Sequence, residues 1–235
     1  MKRFIAATHA NALSRRFGTL PVNGSLYFNG SSYLTQTNAD PIVGWGTGQL
    51  YTIEMFVYLP SSPSANAYIL QFPSPGGLSI YINSTGKPVV TTSVATYTSA
   101  SAFPTGVWTH LAVCRYGTSP SMNVTLYVGG TPVVTSSSPD ASYILTGRPI
   151  TIGATTTGSS PFNGYITNLR FNIAIAGYPD GIGFSPPTSS LTDVAGYTAF
   201  LMLAAPAAPF LDSKSESTVF SNTGGVASST SSPFS

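Results

Sequence analysis

The sequence predicts an all-β fold in which two antiparallel sheets pack against each other as a sandwich. From residue 24 onward, short runs rich in Val, Ile, Thr, Tyr and Phe alternate with clusters of Gly, Pro, Ser and Asn. No stretch keeps the apolar period of 3.6 residues that an amphipathic helix requires. The chain has 235 residues, enough to bury a core within one domain. We therefore expect one sandwich domain with extended N- and C-terminal arms.

The β-rich runs predict strands at residues 24–28, 33–35, 51–58, 68–72, 78–82, 88–94, 107–116, 123–128, 131–136, 150–152, 164–172 and 199–203. In the run 51–58, Ile53, Met55 and Val57 fall on one face of the strand, and the opposite face also carries large side chains. Large side chains on both faces are typical of a strand in the middle of a sheet.

Two connections can also be predicted. Gly129 and Gly130 separate two β runs and predict a tight hairpin, because glycine adopts positive φ without steric cost. The stretch 178–190 contains several prolines and glycines and predicts an extended surface loop.

The composition indicates a protein with few charges. Charged residues make up 7% of the chain, against about 25% in an ordinary soluble domain, while hydrophobic residues make up 42%. Little charge repulsion then opposes close packing against other chains. This favours a subunit of an assembly, although a neutral adhesin-like domain outside the cell has the same composition.

The two ends of the chain predict arms around the body of the domain. Residues 1–23 form a basic N-terminal arm with Lys2, Arg3, Arg15 and Arg16, which we expect to dock on a neighbouring subunit. Nucleic-acid binding is not expected, since it would need a higher density of basic residues with more aromatic residues between them. Residues 24–205 are predicted to form the domain, and residues 206–235 a Ser-rich arm or capping segment. No cleaved export signal and no membrane insertion are expected.

Five sequence blocks resemble a known family. They are GSLYFNGSSYL at 24–34, YTIEMFVYLP at 51–60, GVWTHLAVCRYG at 106–117, VTLYVGGTPV at 124–133 and ITIGATTTGSSPFNGYITNLRF at 150–171. Their order resembles that of laminin-G-like jelly-roll domains in the concanavalin A-like lectin/glucanase superfamily, over residues 24–203. The resemblance implies that the sandwich is an antiparallel jelly roll.

A closer resemblance is to the subgroup found in bacteriophage and large-virus structural proteins. There a block similar to FNGYITNLRF is followed by a loop similar to FSPPTSSL, which stands here at 184–191. The resemblance implies a virion structural protein, either a capsid decoration or cement protein or a tail component. Its expected partners are other copies of itself and other virion or surface-assembly proteins, and its expected location is the virion.

The acidic residues argue against a glycosidase. The chain has 7 Asp and Glu residues in all, and no two stand at alternate positions of a predicted strand, where paired catalytic carboxylates would lie. Glu54, in the middle of a strand, is expected to make a polar contact on a sheet face. We predict no enzymatic activity and no catalytic, cofactor or metal residues. Calcium would have to use isolated loop acids such as Asp140, Asp180 or Asp193 together with carbonyl groups.

His110 and Cys114 are the only residues that suggest a nucleophile with its base. Four positions apart on one strand, they are separated by roughly 13 Å, too far for a direct hydrogen bond. We expect Trp108 and Cys114 to pack against neighbouring side chains and His110 to form a hydrogen bond across strands.

A carbohydrate-binding module on a tail fibre or cell surface is the alternative hypothesis, with an extracellular location. A sugar site can consist of loop aromatic residues that stack on the sugar, assisted by polar side chains. Trp45, Tyr97, Tyr178 and Phe184 fall between the strands that we predict and are the candidates for contact with a glycan or a partner.

Overall fold

The structure is a computed structural model, and it describes residues 24–36, 46–118, 120–136, 139–144, 148–204 and 220–234. These residues form an all-β sandwich, as predicted. The strands are β1 (Ser25–Asn29), β2 (Tyr33–Gln36), β3 (Tyr51–Tyr58), β4 (Ala67–Phe72), β5 (Leu78–Ile82), β6 (Pro88–Thr92), β7 (Thr96–Thr98), β8 (Trp108–Thr118), β9 (Ser121–Val128), β10 (Thr131–Thr135), β11 (Thr151–Ile152), β12 (Asn163–Ile173), β13 (Thr198–Met202), β14 (Phe220–Thr223) and β15 (Ala227–Ser229).

The strands form two antiparallel sheets. The eight-stranded sheet has the order β10-β9-β8-β3-β12-β1-β15, and β13 also pairs with β12. The seven-stranded sheet has the order β14-β2-β11-β4-β5-β6-β7. Strands that are neighbours in a sheet are often distant in sequence, which is the arrangement expected of a jelly roll.

Each run that was predicted as a strand overlaps an observed strand. The central position of β3 is confirmed, since it pairs with β8 on one side and β12 on the other. The hairpin between β9 and β10 is also confirmed: Gly129 and Gly130 have φ values of 58° and 77°. Strands β7, β14 and β15 were not predicted, because they are short and rich in Ser, Thr and Asn rather than in apolar residues.

The hydrophobic core lies between the two sheets. Ile53, Met55 and Val57 of β3 point into it, as the alternation predicted. Large aromatic rings fill its centre, among them Phe171, whose ring stacks on Phe200 at a centroid distance of 4.9 Å. Burial of apolar surface, worth about 25 cal/mol per Å², is the main stabilising contribution because the chain has one cysteine and so no internal disulfide.

The described part of the C-terminal segment pairs with both sheets. Strand β14 pairs with β2 at the edge of the seven-stranded sheet, and β15 pairs with β1 at the edge of the eight-stranded sheet. Val226, between these strands, is buried in the core. The basic arm with Lys2, Arg3, Arg15 and Arg16 lies outside the described residues, so its docking and the three domain boundaries stay predictions.

Within the ranges that the structure describes, there is no helix with the length and apolar composition needed to cross a membrane.

Candidate functional site

Four aromatic side chains form a row across the outer face of the eight-stranded sheet. Trp108 of β8 is paired with Tyr58 of β3, Tyr58 with Tyr165 of β12, and Tyr165 with Tyr27 of β1. The ring centroids are 5.8, 5.7 and 4.9 Å apart along the row. All four side chains are partly exposed. We call this row the aromatic ladder.

Strand geometry places the ladder on the outer face. Successive side chains of a strand point to opposite faces of the sheet. The residues beside the ladder, Leu26, Val57 and Ile166, are buried in the core between the sheets. The ladder therefore points away from the core, and its pitch follows the spacing of about 4.8 Å between neighbouring strands.

The ladder offers apolar ring faces and polar ring edges, and its neighbouring ring planes are tilted by 58°, 81° and 36° along the row. The ring faces are apolar and slightly negative, whereas the tyrosine hydroxyls and the indole N–H are hydrogen-bonding groups at the ring edges. The side chain of Asn163, two residues before Tyr165 on the same face at the start of β12, is exposed. No charged residue belongs to the ladder. Such a surface suits a neutral ligand that has an apolar face and hydroxyl groups around it.

Other segments cover the neighbouring parts of the same sheet face. Phe234, close to the C-terminus, packs on Phe56 of β3 at a centroid distance of 4.9 Å. Residues 174–191, which we call the strap, cross the sheet farther along. In the strap, Tyr178 stacks on Phe184 with centroids 3.7 Å apart and ring planes at 5°. Both rings cover a second cluster of buried residues, Ala112, Cys114, Tyr116 and Tyr127.

A buried carboxylate lies beneath the strap. Glu54 is 1% exposed and accepts hydrogen bonds from Arg170 Nε at 3.0 Å, from His110 Nε2 at 3.1 Å and from the Tyr178 hydroxyl. Burial raises the pKa of Glu54, but the hydrogen bond from His110 and the charge of Arg170 outweigh it and leave the pKa below its ordinary value. The polar contact predicted for Glu54 and the cross-strand hydrogen bond predicted for His110 are confirmed.

Cys114 is a buried packing residue, as predicted. Its thiol donates to Thr52 Oγ1 at 3.5 Å, and burial raises its pKa to about 12. A thiol is nucleophilic only as the thiolate, so the Cys114 side chain stays protonated and unreactive near neutral pH.

Tyr97, in β7 of the seven-stranded sheet, contacts a second buried carboxylate. The Tyr97 hydroxyl and Thr92 Oγ1 each donate to Asp140 Oδ2 at 2.7 Å, and the Ser142 amide donates to Oδ1 at 2.8 Å. Burial raises the pKa of Asp140, and these hydrogen bonds outweigh it, so the pKa lies below its ordinary value. Asp140 is 0% exposed, and its carboxylate accepts these three hydrogen bonds from within the fold.

The candidates from the sequence are therefore spread over the molecule. Tyr178 and Phe184 come together in the strap, Tyr97 lies in β7 of the other sheet, and Trp45 lies outside the described residues. Their contact with a glycan or a partner stays a prediction. Among the described residues, no group of three or more His, Cys, Asp and Glu side chains is placed to hold a metal ion.

Sequence reasoning missed the ladder. Trp108 was expected only to pack against its neighbours, and the structure shows it partly exposed at one end of the row. The sequence does show that each ladder residue is an aromatic residue within a predicted strand. The row exists only because the strands pair in this register, which a single sequence does not reveal.

The family assignment rests on most of the domain. Residues 28–175 match the family model described as the concanavalin A-like lectin/glucanases superfamily. The chain belongs to this superfamily. The match confirms the resemblance inferred from the five blocks, and with the two antiparallel sheets it establishes the jelly-roll fold. No curated protein matches the sequence.

Solved structures show the same fold at low sequence identity. A protein from Bacteroides ovatus, whose name records an inferred role in carbohydrate binding, is 16% identical with a TM-score of 0.58. The match covers 89% of this chain and 60% of that protein, so the chain spans less than two thirds of its length.

Two further structures are less similar. The heptameric SAP-like pentraxin of Limulus polyphemus is 14% identical with a TM-score of 0.47, over 65% of this chain and 77% of the pentraxin. Domain 4 of an extracellular arabinanase from Geobacillus stearothermophilus, solved with arabinotriose, is 19% identical with a TM-score of 0.47, over 65% of this chain and 71% of that one.

Proposed function

We propose that the protein is a carbohydrate-binding module and that the aromatic ladder is its binding surface. The observation that carries the proposal is the register that places Trp108, Tyr58, Tyr165 and Tyr27 side by side on the outer face of one sheet. Sugar rings have an apolar face of C–H groups that packs on aromatic rings, and hydroxyls that bond to polar groups at the edge. The inferred role of the Bacteroides ovatus protein is in the same class.

The shape of the ladder favours an extended sugar chain. Its rings are separated by 4.9 to 5.8 Å, close to the length of one pyranose unit in an extended chain. Consecutive sugar units then meet consecutive rings in a chain that lies across the strands. Because no ladder residue is charged, we expect the ligand to be neutral: a sulfate or carboxylate would lose hydration without gaining a counter-charge.

The virion role and the virion location predicted from the sequence have less support than this alternative. The virion role and location are supported by the resemblance to phage and virus structural proteins and by the low charge of the chain. The ladder and the inferred role of the Bacteroides ovatus protein support sugar recognition instead, and we propose an extracellular surface as the location. We assign no catalytic role to the module.

A glycan array followed by titration calorimetry tests the proposal. We expect the protein to bind neutral oligosaccharides and the variant Trp108→Ala to bind them at least tenfold more weakly, since loss of a large aromatic contact costs about 2 kcal/mol. Tyr197→Ala is the matched control: it removes an exposed tyrosine outside the ladder and is expected to bind like the parent protein.

Tyr165→Phe separates stacking from hydrogen bonding at the centre of the ladder. It keeps the ring and is expected to retain most of the affinity, whereas Tyr165→Ala is expected to lose it. Equal binding by Trp108→Ala, Tyr165→Ala and the parent protein would exclude the ladder as the binding surface.

A further inference from the structure

A groove lies on the opposite side of the sandwich, on the outer face of the seven-stranded sheet. It has a volume of about 550 Å³, within the range of about 300 to 1,000 Å³ typical of small-ligand sites. Its floor includes Gln71 of β4, Ser79 of β5 and Thr91 of β6. The groove shares no residue with the aromatic ladder.

The floor belongs to a row of polar residues that runs across the whole seven-stranded sheet. Paired one to the next from β14 to β7, its members are Ser221, Thr35, Thr151, Gln71, Ser79, Thr91 and Thr96. All of them carry a hydroxyl or an amide and none is charged. Gln71 Nε2 donates to Ser79 Oγ at 3.0 Å, and Gln71 Oε1 accepts from the Thr156 amide at 2.7 Å. The second Gln71 N–H and the Ser79 hydroxyl proton are the donors that these two bonds leave for a ligand.

The walls of the groove add apolar contacts to these polar groups. Val94, with 54% of its surface exposed, and the partly exposed Tyr143 line the groove. Gly76 packs closely on Tyr143: a Cβ at this position would lie 2.7 Å from the Tyr143 carbonyl oxygen. The loop that carries Gly76 and the segment that carries Tyr143 are therefore in direct contact.

A fully buried arginine fixes the segments around the groove. Arg115 donates hydrogen bonds to the backbone carbonyls of Gly46, Gln49 and Ser142. Gly46 and Gln49 lie on either side of Thr47, and Ser142 lies between Ala141 and Tyr143. Thr47, Ala141 and Tyr143 line the groove. A buried charge is costly unless its donors are satisfied, and these carbonyls satisfy Arg115. The groove is thus formed before a ligand arrives, which lowers the entropic cost of binding.

We propose that this groove is a second binding site for a neutral polyhydroxyl ligand of about the size of a monosaccharide or disaccharide. Among the described residues that line it, no side chain is charged, so an anionic or cationic ligand would find no counter-charge there. Hydroxyls, an amide and two apolar side chains match the mixed surface of a sugar. Since the ladder lies on the other side of the sandwich, one molecule would hold two ligands at once.

Nuclear magnetic resonance of the isotope-labelled chain, titrated with lactose, cellobiose and maltose, tests this site. We expect at least one of these sugars to shift the amide resonances of Ser79, Thr91 and Val94, both in the parent protein and in Trp108→Ala. The double variant Ser79→Ala, Thr91→Val is expected to bind at least about fivefold more weakly at the groove, as the loss of ligand hydrogen bonds predicts.

Thr98→Val is the matched control, because Thr98 is exposed on the neighbouring strand β7 and does not line the groove. It is expected to bind like the parent protein. Absence of any shift at the groove with all three sugars, or loss of those shifts in Trp108→Ala, would overturn the second site. Shifts at the groove without shifts at the ladder would instead overturn the proposed function and leave the second site standing.

Discussion

Glu54 holds the strap to the eight-stranded sheet through charge. Its carboxylate is buried beneath the strap and joins Arg170 and His110 of the sheet to Tyr178 of the strap. Groups of opposite charge that are buried together depend on one another, because removal of one partner leaves the other unpaired in a site of low polarity.

The variant Glu54→Gln tests this dependence. It keeps the shape of the side chain and removes the charge, so Arg170 loses its partner. We expect the free energy of unfolding to fall by about 3 kcal/mol, measured by urea denaturation. Asp180→Asn is the control, since Asp180 is an exposed acid of the same strap and its change is expected to cost about 0.5 kcal/mol or less. Equal stability of the two variants would contradict the role of Glu54.

At the scale of elements, the hairpin between β9 and β10 supports the strap from the side. The amide of Phe184 donates to the carbonyl of Gly130 at 2.9 Å. A Cβ at Gly130 would lie 2.0 Å from the Phe184 carbonyl oxygen, whereas a Cβ at Gly129 has no atom within 4 Å. Both glycines have positive φ, so they differ mainly in their contact with the strap.

Alanine substitutions at the two glycines separate turn strain from strap docking. Both variants bear the cost of a side chain at positive φ. Gly130→Ala must also displace the strap, so we expect it to be less stable than Gly129→Ala by about 1 to 3 kcal/mol. Thermal unfolding measures the difference, and limited proteolysis is expected to cut the strap faster in Gly130→Ala. A strap equally protected in both variants would show that the hairpin does not hold it.

The strands could be predicted from the sequence because their signals are local. Alternating residues such as Ile53, Met55 and Val57 mark a strand, and a Gly-Gly dipeptide marks a hairpin. The ladder depends on pairing between β1, β3, β8 and β12, which come from distant parts of the chain. The partners of Glu54 likewise come from other strands and from the strap. Both the ladder and the partners of Glu54 depend on how distant strands pair. The lowered pKa values of the buried carboxylates depend in addition on burial. Local sequence patterns contain neither kind of information.

At the scale of the whole molecule, few acidic residues are present, so few groups can make the stability of the fold depend on pH in acid. The chain has 7 Asp and Glu residues. Among the acids that the structure describes, Glu54 and Asp140 are buried. Hydrogen bonds hold the pKa of each below its ordinary value in spite of burial, and for Glu54 the charge of Arg170 adds to this effect. Glu54 lies under the strap on the outer face of the eight-stranded sheet, and Asp140 accepts hydrogen bonds from Thr92 and Tyr97 of the seven-stranded sheet.

The lowered pKa values predict how stability changes with pH. The unfolded chain binds protons at these two carboxyls at a higher pH than the folded chain does. Their contribution to stability is therefore fully present above the ordinary carboxyl pKa of about 4 and is lost as the pH falls toward the lowered values of the folded state. We expect the urea midpoint of the parent protein to fall steeply below about pH 4.

The double variant Glu54→Gln, Asp140→Asn isolates this contribution. Neither amide titrates, so the variant is expected to be less stable than the parent protein at neutral pH, while its urea midpoint changes much less between neutral pH and about pH 3. Asp180→Asn again serves as the control and is expected to keep the parent's acid dependence, because its carboxyl is exposed. If the double variant kept the same loss of stability in acid, the remaining acids would have to carry it, and the two buried carboxylates would not be the groups that set the acid limit of the fold.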